Sequence, residues 1–205
     1  MKTGGSKSPS RDEARTQSPS PANAPATAAP GNFADLWSAD RDRQNRAFHA
    51  MMAITARPVD WADEVWDQVL ANLTHKDNHN RAIAAQVLCN LAKSDASKRM
   101  LQDFPALFAV TGDERFVTAR HCLQSLWKVG AAGKEQQRLL LAALQGHFQD
   151  CVAHKNCTLI RYDIVKCLRD LYDAVEGDGI RRLALQLIES ETDLKYRKKY
   201  ATLWR

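Results

Sequence analysis

Histidine and cysteine side chains between positions 147 and 157 form the group in this sequence that most resembles a metal site. His147, Cys151 and His154 follow one another at intervals of four and three residues, so a helix would place them on one face. Cys157 lies just beyond them and would fold back if the chain turned at Asn156. Zinc accepts such ligands, but the spacing matches no common zinc pattern. We therefore predict neither metal nor cofactor, and keep these four residues as an alternative.

The elements that position such side chains are indicated by three ungapped windows of eleven residues. Residues 81–91, 116–126 and 161–171 carry apolar residues at their fourth, seventh, eighth and eleventh places, which is one stripe of a helix. Offsets of 35 and 45 residues between windows are typical of helical repeat proteins. The stripe residues predicted to form the core are Ala84, Val87, Leu88, Leu91, Ala119, Cys122, Leu123, Leu126, Ile164, Cys167, Leu168 and Leu171.

Two cysteines of these windows are predicted to be packing residues. Cys122 and Cys167 hold the same core place as Val87, so we interpret them as small buried apolar side chains. His121 is adjacent to Cys122, but neighbouring residues of a helix point to different faces. This geometry argues against a Cys–His catalytic pair, and we predict that the protein is not an enzyme.

Composition divides the 205-residue chain into two regions. Residues 1–31 contain five of the seven prolines and precede Phe33, the first aromatic or large aliphatic residue apart from Met1. Such a segment cannot bury enough surface to offset the entropy of ordering it, so we predict a disordered tail. Residues 32–205 are rich in Ala and Leu and helical in pattern, and we predict one all-α domain there.

Charge and apolar content set limits on the setting of the protein. The net charge of +5 permits an acidic partner without identifying one. No apolar run approaches the roughly 18–20 residues of a membrane span, and no apolar stretch follows Lys2 as a secretory signal requires. We therefore expect a cytoplasmic protein with five free thiols and no membrane partner. The sequence leaves the oligomeric state open.

The first window and the residues before it resemble a HEAT repeat. The second helix of that repeat typically carries an aspartate, then an arginine, then alanine and leucine at helical spacing, and Asp77, Arg81, Ala84 and Leu88 follow this order. The third window keeps the arginine but not the aspartate or the alanine. The second keeps the aspartate and the alanine but has Phe116 in place of the arginine. The resemblance covers roughly the middle three-fifths of the chain.

This resemblance implies a fold and a binding face. The fold is a right-handed α-solenoid of stacked antiparallel helix pairs, with the window helices on its inner face. Helical geometry then turns the second, sixth, ninth and thirteenth window places away from the core. Their polar members are the predicted partner-binding residues, namely Gln86, Lys93, His121, Gln124, Lys128, Lys166 and Arg169. The remaining places are held by Ala82, Cys89, Val117, Tyr162 and Asp173.

Two functions are consistent with such a face. The first is a non-enzymatic scaffold or adaptor that binds a protein or peptide, which the mildly basic surface favours when the ligand is acidic. The alternative is a nucleic-acid-binding protein or a HEAT-like DNA-repair glycosylase that uses the basic concave surface. Those glycosylases resemble this chain in having tryptophans, but Trp61, Trp66 and Trp127 lack a matching Trp–Asp arrangement. A basic aromatic C-terminal segment at 195–205 is interpreted as a capping helix rather than a nucleic-acid patch.

Overall fold

The computed structural model describes Met1 and residues 29–205, and in this part of the chain the secondary structure is helical throughout. The predicted all-α class is therefore confirmed for the described residues, whereas the predicted tail falls mainly on residues 2–28, which lie outside them. A short 3-10 helix, Phe33–Trp37, precedes the first α-helix. The α-helices are α1 (Arg41–Ile54), α2 (Ala62–Ala71), α3 (Asn78–Leu91), α4 (Arg99–Ala109), α5 (Phe116–Leu123), α6 (Trp127–Ala132), α7 (Lys134–Asp150), α8 (Cys157–Val175), α9 (Asp178–Ser190) and α10 (Leu194–Ala201).

Aspartate caps fix the beginnings of several helices. Asp40 accepts hydrogen bonds from the backbone N–H groups of Asp42 and Arg43 at the start of α1. Asp77 accepts one from His79 at the start of α3. Each capping aspartate satisfies helix N–H groups that have no partner within the helix. Such a cap stabilises the helix by about 1 kcal/mol.

The helices pack in two series. α1 contacts α3, α3 contacts α5 and α6, and both of these contact α8. In the second series α2 contacts α4, α4 contacts α7, and α7 contacts α9. Contacts of α2 with α3, α6 with α7, and α8 with α9 join the two series. The three sequence windows therefore lie in consecutive members of the first series.

The repeated apolar stripe forms the core between these series. All twelve stripe residues are at most 2% exposed, including Cys122 and Cys167, which confirms the predicted register. Burial raises the pKa of both thiols, so neither is an ionised nucleophile near neutral pH. All five cysteines are free.

Helix α1 is an additional copy of the pattern that the sequence windows did not include. The offset that carries Asp40 onto Asp77 also carries Met51 onto Leu88, and both apolar side chains are buried. The other stripe places of α1 are also apolar, and of these Ala47 is buried whereas Ala50 and Ile54 are partly exposed. Its place beside α3 matters because α1 supplies one wall of both pockets described below.

The second window departs from the single helix that its pattern predicted. α5 ends at Leu123, and α6 begins at Trp127 after a tight turn in which the Ser125 hydroxyl donates to the His121 carbonyl oxygen at 2.9 Å. Gly130, predicted to end the helix, instead lies buried within α6. A Cβ atom there would come within 2.8 Å of the Leu140 side chain, so the glycine permits close packing of α7.

Three further features concern the ends of the helices. Pro105 lies inside α4 without ending it. α7 ends at Asp150, and Val152 beyond it is 70% exposed. In the C-terminal segment predicted to form a capping helix, Tyr200 is fully buried and its hydroxyl donates to the Thr158 carbonyl oxygen at 2.8 Å, whereas Leu194 is 63% exposed. No helix of residues 29–205 is both long and apolar enough to cross a membrane.

Candidate functional site

A pocket of about 380 Å³ lies where α1, α3 and α6 meet. Two lysines predicted to bind a partner, Lys93 and Lys128, both line it, and Trp127 forms part of its wall. We call it the lysine pocket, and its lining residues are Met52, Ala56, Asn90, Lys93, Trp127, Lys128 and Ala131.

Lys128 is held in this pocket by a chain of polar side chains. Its Nζ donates to Asn90 Oδ1 at 2.5 Å, and Asn90 Nδ2 donates to Thr55 Oγ1 at 3.0 Å. The Thr55 hydroxyl in turn donates to the Met51 carbonyl oxygen at 2.6 Å. These bonds link α6, α3 and the C-terminal end of α1, so the ammonium group has a fixed position before any ligand arrives.

Lys93 sits at the C-terminal end of α1. Its Nζ donates to the carbonyl oxygens of Thr55 at 3.1 Å and Ala56 at 2.9 Å. Carbonyl groups at a helix C-terminus lack partners within the helix and carry a partial negative charge. Lys93 therefore stabilises the end of α1 while it keeps its full positive charge beside the pocket.

Neither of these two lysines has an acidic partner in the part of the chain that the structure describes. Among residues 29–205, no carboxylate forms a salt bridge with Lys93 or Lys128. Burial lowers the pKa of both ammonium groups, and the charge of Lys128 lowers that of Lys93 further. An anion placed between them would relieve this repulsion and replace lost hydration.

The two remaining predicted cations are in a different state. Lys166 forms an ion pair with Asp170 one turn along α8, and Arg169 forms one with Asp173, with its Nε 3.0 Å from Asp173 Oδ2. Arg169 also lies 5.2 Å from the ring centre of Trp204. The four predicted inner-face cations therefore fall into two groups. Lys93 and Lys128 pair with no carboxylate of the described residues, whereas Lys166 and Arg169 are neutralised on α8.

The predicted amides are occupied by contacts within the protein. Gln124 Nε2 donates to Asp163 Oδ1 at 3.2 Å, and Gln86 Nε2 donates to the Ala82 carbonyl oxygen at 3.1 Å. Gln86 retains access to solvent, together with His121, at a second pocket of about 190 Å³ between α1, α3 and α5. We call it the histidine pocket, and its lining includes Phe48, His79, Ile83, Gln86, Val117 and His121.

Three residues at or next to window places that the sequence predicts to face outward are in fact buried. Ala82 is 8% exposed, Cys89 is fully buried and Asn90 is 3% exposed. The reason is that α1 and α5–α6 pack on both flanks of α3, which covers window places that would be open on a less crowded helix. Burial raises the pKa of Cys89 to about 12, which keeps it a thiol.

The histidine and cysteine group around α7 does not converge on a metal. His147, Cys151 and His154 line one cavity of about 200 Å³. The Cys151 thiol, however, contacts the backbone oxygen of Cys157 at 3.8 Å, and His154 Nδ1 accepts the backbone N–H of Asn156 at 3.0 Å. No three His, Cys, Asp or Glu side chains of the described chain are grouped so that they could hold a metal ion.

The tryptophans considered for a glycosylase have separate surroundings. Trp61 and Trp66 are buried, and Trp66 Nε1 donates to Asp103 Oδ2 at 2.9 Å. Trp127 is partly exposed in the lysine pocket, which has no carboxylate in its lining. Asp170 and Asp173 lie on its other side in an open depression, each already paired with a cation. A catalytic carboxylate at Trp127 would first have to leave its ion pair.

Arginines between neighbouring helices form a second set of cationic contacts. Arg81 donates from Nε and Nη2 to both oxygens of Asp113 at 2.5 and 2.8 Å. In the second window, where Phe116 replaces arginine, Arg120 one turn later grips Asp163 in the same bidentate way at 2.7 and 3.0 Å. We call these pairs the arginine ladder, which consists of Arg41–Asp77, Arg81–Asp113, Arg120–Asp163 and Arg161–Glu191.

Sequence reasoning selected the two lysines but missed several of their neighbours. Met52 lies in α1 and Ala56 two residues beyond its end, in a region that the windows left out, and Trp127 was considered only as a glycosylase residue. α1 and α3 each begin with an aspartate cap, and this common feature is the signal that could have added α1 to the first series. No family model matches this sequence, and no curated protein matches it significantly.

Proposed function

We propose that this protein is a non-enzymatic scaffold or adaptor that binds an acidic segment of a partner protein at the lysine pocket. One observation carries the proposal: two fixed ammonium groups face one cavity, and no carboxylate of the described residues pairs with either. A glutamate or aspartate side chain supplies the missing charge. Apolar atoms of Met52 and Trp127 beside the lysines offer contact to the rest of the ligand.

The proposed architecture is a short HEAT-like, right-handed α-solenoid with the pocket on its inner face. Serial packing of the window helices, with α2, α4, α7 and α9 as a second layer, supports it. In a solenoid, successive repeats present equivalent places side by side, so a ligand can contact several helices at once. The lysine pocket, built from three helices, fits this mode of binding.

A direct test uses fluorescein-labelled octaglutamate as the probe and octaglutamine as the uncharged comparison. Binding is measured by fluorescence anisotropy with wild type, Lys128→Gln and a control, Lys198→Gln, which removes the same charge from the exposed part of α10. Loss of one charged hydrogen bond corresponds to about a tenfold or greater loss of affinity. We expect that loss for Lys128→Gln only. Equal affinity of all three proteins for octaglutamate would contradict the proposal.

A nucleic-acid ligand is the second candidate, because Lys128 Nζ lies 5.8 Å from the ring centre of Trp127. A cation beside a partly exposed indole suits a phosphate next to a stacked base. The paired state of Lys166 and Arg169 argues against an extended phosphate track. Binding of a 20-base single strand or duplex that is tighter than octaglutamate and weakens steeply with salt would favour this candidate over the first.

A further inference from the structure

The histidine pocket lies in line with the lysine pocket, and this alignment extends the proposed function, on which the inference rests. α1 contributes Phe48 to the first and Met52 to the second. α3 and the 3-10 turn after it contribute Gln86 and Lys93 in the same order. From this shared chain order of the lining residues we infer that both pockets belong to a single groove.

Helix α5 and helix α6 complete the opposite wall of this groove. His121 faces the histidine pocket and Lys128 the lysine pocket, again in chain order. Gln86 and Lys93 are seven residues apart along α3 and the 3-10 turn Ala92–Ser94 that follows it, whereas a break in the helix separates His121 in α5 from Lys128 in α6. At about 1.5 Å per residue, the two pockets are therefore separated by about 10 Å along the groove.

The two ends of the groove differ in chemistry. Phe48 and Ile83 give the histidine pocket apolar walls, and Val117 at its edge is 63% exposed. The titratable groups that line it are His79 and His121. Desolvation lowers the pKa of His121, and the neighbouring charge of Arg120 and that of His79 lower it further. Among the described residues that line this end there is no lysine or arginine, in contrast to the lysine pocket.

We propose that the groove binds an extended peptide segment that carries an acidic residue and a large apolar residue three positions apart. The carboxylate lies between Lys93 and Lys128, and the apolar side chain enters the histidine pocket against Val117. An extended chain advances about 3.3 Å per residue, so three residues span the distance of about 10 Å. The charge difference between the two pockets assigns the acidic residue to the lysine end.

The spacing separates this occupant from a helical one. A helix covers about 10 Å in seven residues, so a helical ligand would need its acidic and apolar residues seven positions apart. Labelled peptides of about twelve residues, made of Gly and Ser, serve as probes. Each carries two adjacent glutamates, and a phenylalanine is absent or stands three or seven positions from the nearer glutamate.

We expect the three-position peptide to bind about tenfold more tightly than the peptide without phenylalanine, since burial of the ring contributes about 1.5 kcal/mol or more. Val117→Ser should abolish this gain and leave the affinity for the phenylalanine-free peptide unchanged. Leu185→Ser, which removes a 44% exposed apolar side chain from α9, is the matched control and should change neither affinity.

The outcomes distinguish the groove from the proposed function. If Lys128→Gln weakens every peptide but phenylalanine adds nothing at either spacing, the groove inference is wrong and the anion site stands. If the seven-position peptide binds best, the extended occupant is wrong. If no peptide binds in a Lys128-dependent manner, the proposed function itself fails. Circular dichroism of each variant shows that it is folded.

Discussion

The arginine ladder and the lysine pocket use the same kind of contact with opposite results. In both, a long cationic side chain reaches from one helix to a neighbouring helix or to the turn beside it. In the ladder each guanidinium meets a carboxylate, and in Asp163 and Glu191 that carboxylate is almost fully buried. In the pocket the ammonium groups of Lys93 and Lys128 donate to amide and carbonyl oxygens, and neither forms a salt bridge with a carboxylate of residues 29–205. We interpret the balanced contacts as structural, and the unbalanced charge supports the proposed binding site.

The side-chain types suit these two roles. A guanidinium is a planar fork that matches both oxygens of a carboxylate, as Arg81 does with Asp113. An ammonium group is a compact charge with three donors, so Lys93 can serve two carbonyl oxygens and still approach an anion. This comparison predicts that changes in the ladder alter stability, whereas changes in the pocket alter binding.

The largest expected effect is a loss of stability when the ladder is broken. Asp113→Asn removes the bidentate carboxylate partner of the Arg81 guanidinium, which is 13% exposed, and leaves it only the more distant Glu114 at 3.9 Å. Removal of one partner of such a pair costs about 3 kcal/mol of unfolding free energy. The control is Asp67→Asn, because Asp67 is 84% exposed in its pair with Arg99 and should change stability by less than about 0.5 kcal/mol. Urea denaturation measures both, and similar losses for the two variants would refute the distinction.

The Arg81–Asp113 pair also predicts how the free energy of unfolding changes as the pH falls. Burial raises the pKa of the Asp113 carboxyl, but hydrogen bonds from Arg81 and from the Arg115 backbone outweigh it and leave the pKa below the usual value of 3.8. A folded-state pKa below the unfolded one gives stability that is present above about pH 4 and is lost as the pH falls through the folded pKa. The difference between wild type and Asp113→Asn should therefore shrink in denaturation series taken below pH 4. A constant difference down to pH 2 would contradict this.

A much smaller change of stability is expected in the pocket. Lys128→Met removes a half-buried charge that no carboxylate of the described residues balances, and its side chain can pack beside Met52 and Trp127, but it also removes the donor to Asn90 Oδ1. We expect these effects to offset each other, so that the unfolding free energy changes by less than about 1 kcal/mol while octaglutamate binding is lost. A fall of more than about 1 kcal/mol would mean that Lys128, like the ladder arginines, is mainly structural.

The affinity of the pocket for anions should decline with rising pH, and this decline should begin at a lower pH than for a site built on a fully hydrated lysine. Desolvation lowers the pKa of Lys128 from 10.5, and only the protonated amine attracts an anion. Affinity for octaglutamate should therefore fall as the pH rises through this lowered pKa, and the decline should begin below pH 10.5. Lys128→Arg keeps its charge at high pH and should lose less affinity. Parallel pH profiles for the two proteins would argue against a role for Lys128 charge.

The sequence was sufficient for the features that repeat in register. Periodic apolar places predicted the buried stripe, and their phase correctly placed Lys93 and Lys128 outside it. It failed where neighbouring helices decide burial, as at Cys89, because a single-helix pattern does not contain the flanks added by α1 and α5. Nor could it separate paired from unpaired cations, since the partner of Lys128 is an amide 38 residues away.

The most direct test of the comparison is octaglutamate binding by Lys128→Gln and Lys166→Gln, measured in one low-salt buffer. Both variants lose one predicted inner-face lysine and change the net charge equally, but Lys166 is already paired with Asp170. If unpaired charge identifies the binding site, the affinity for octaglutamate should fall about tenfold or more in Lys128→Gln and less than about twofold in Lys166→Gln. Equal losses would show that the probe senses only overall charge, and would contradict the assignment of the site to the lysine pocket.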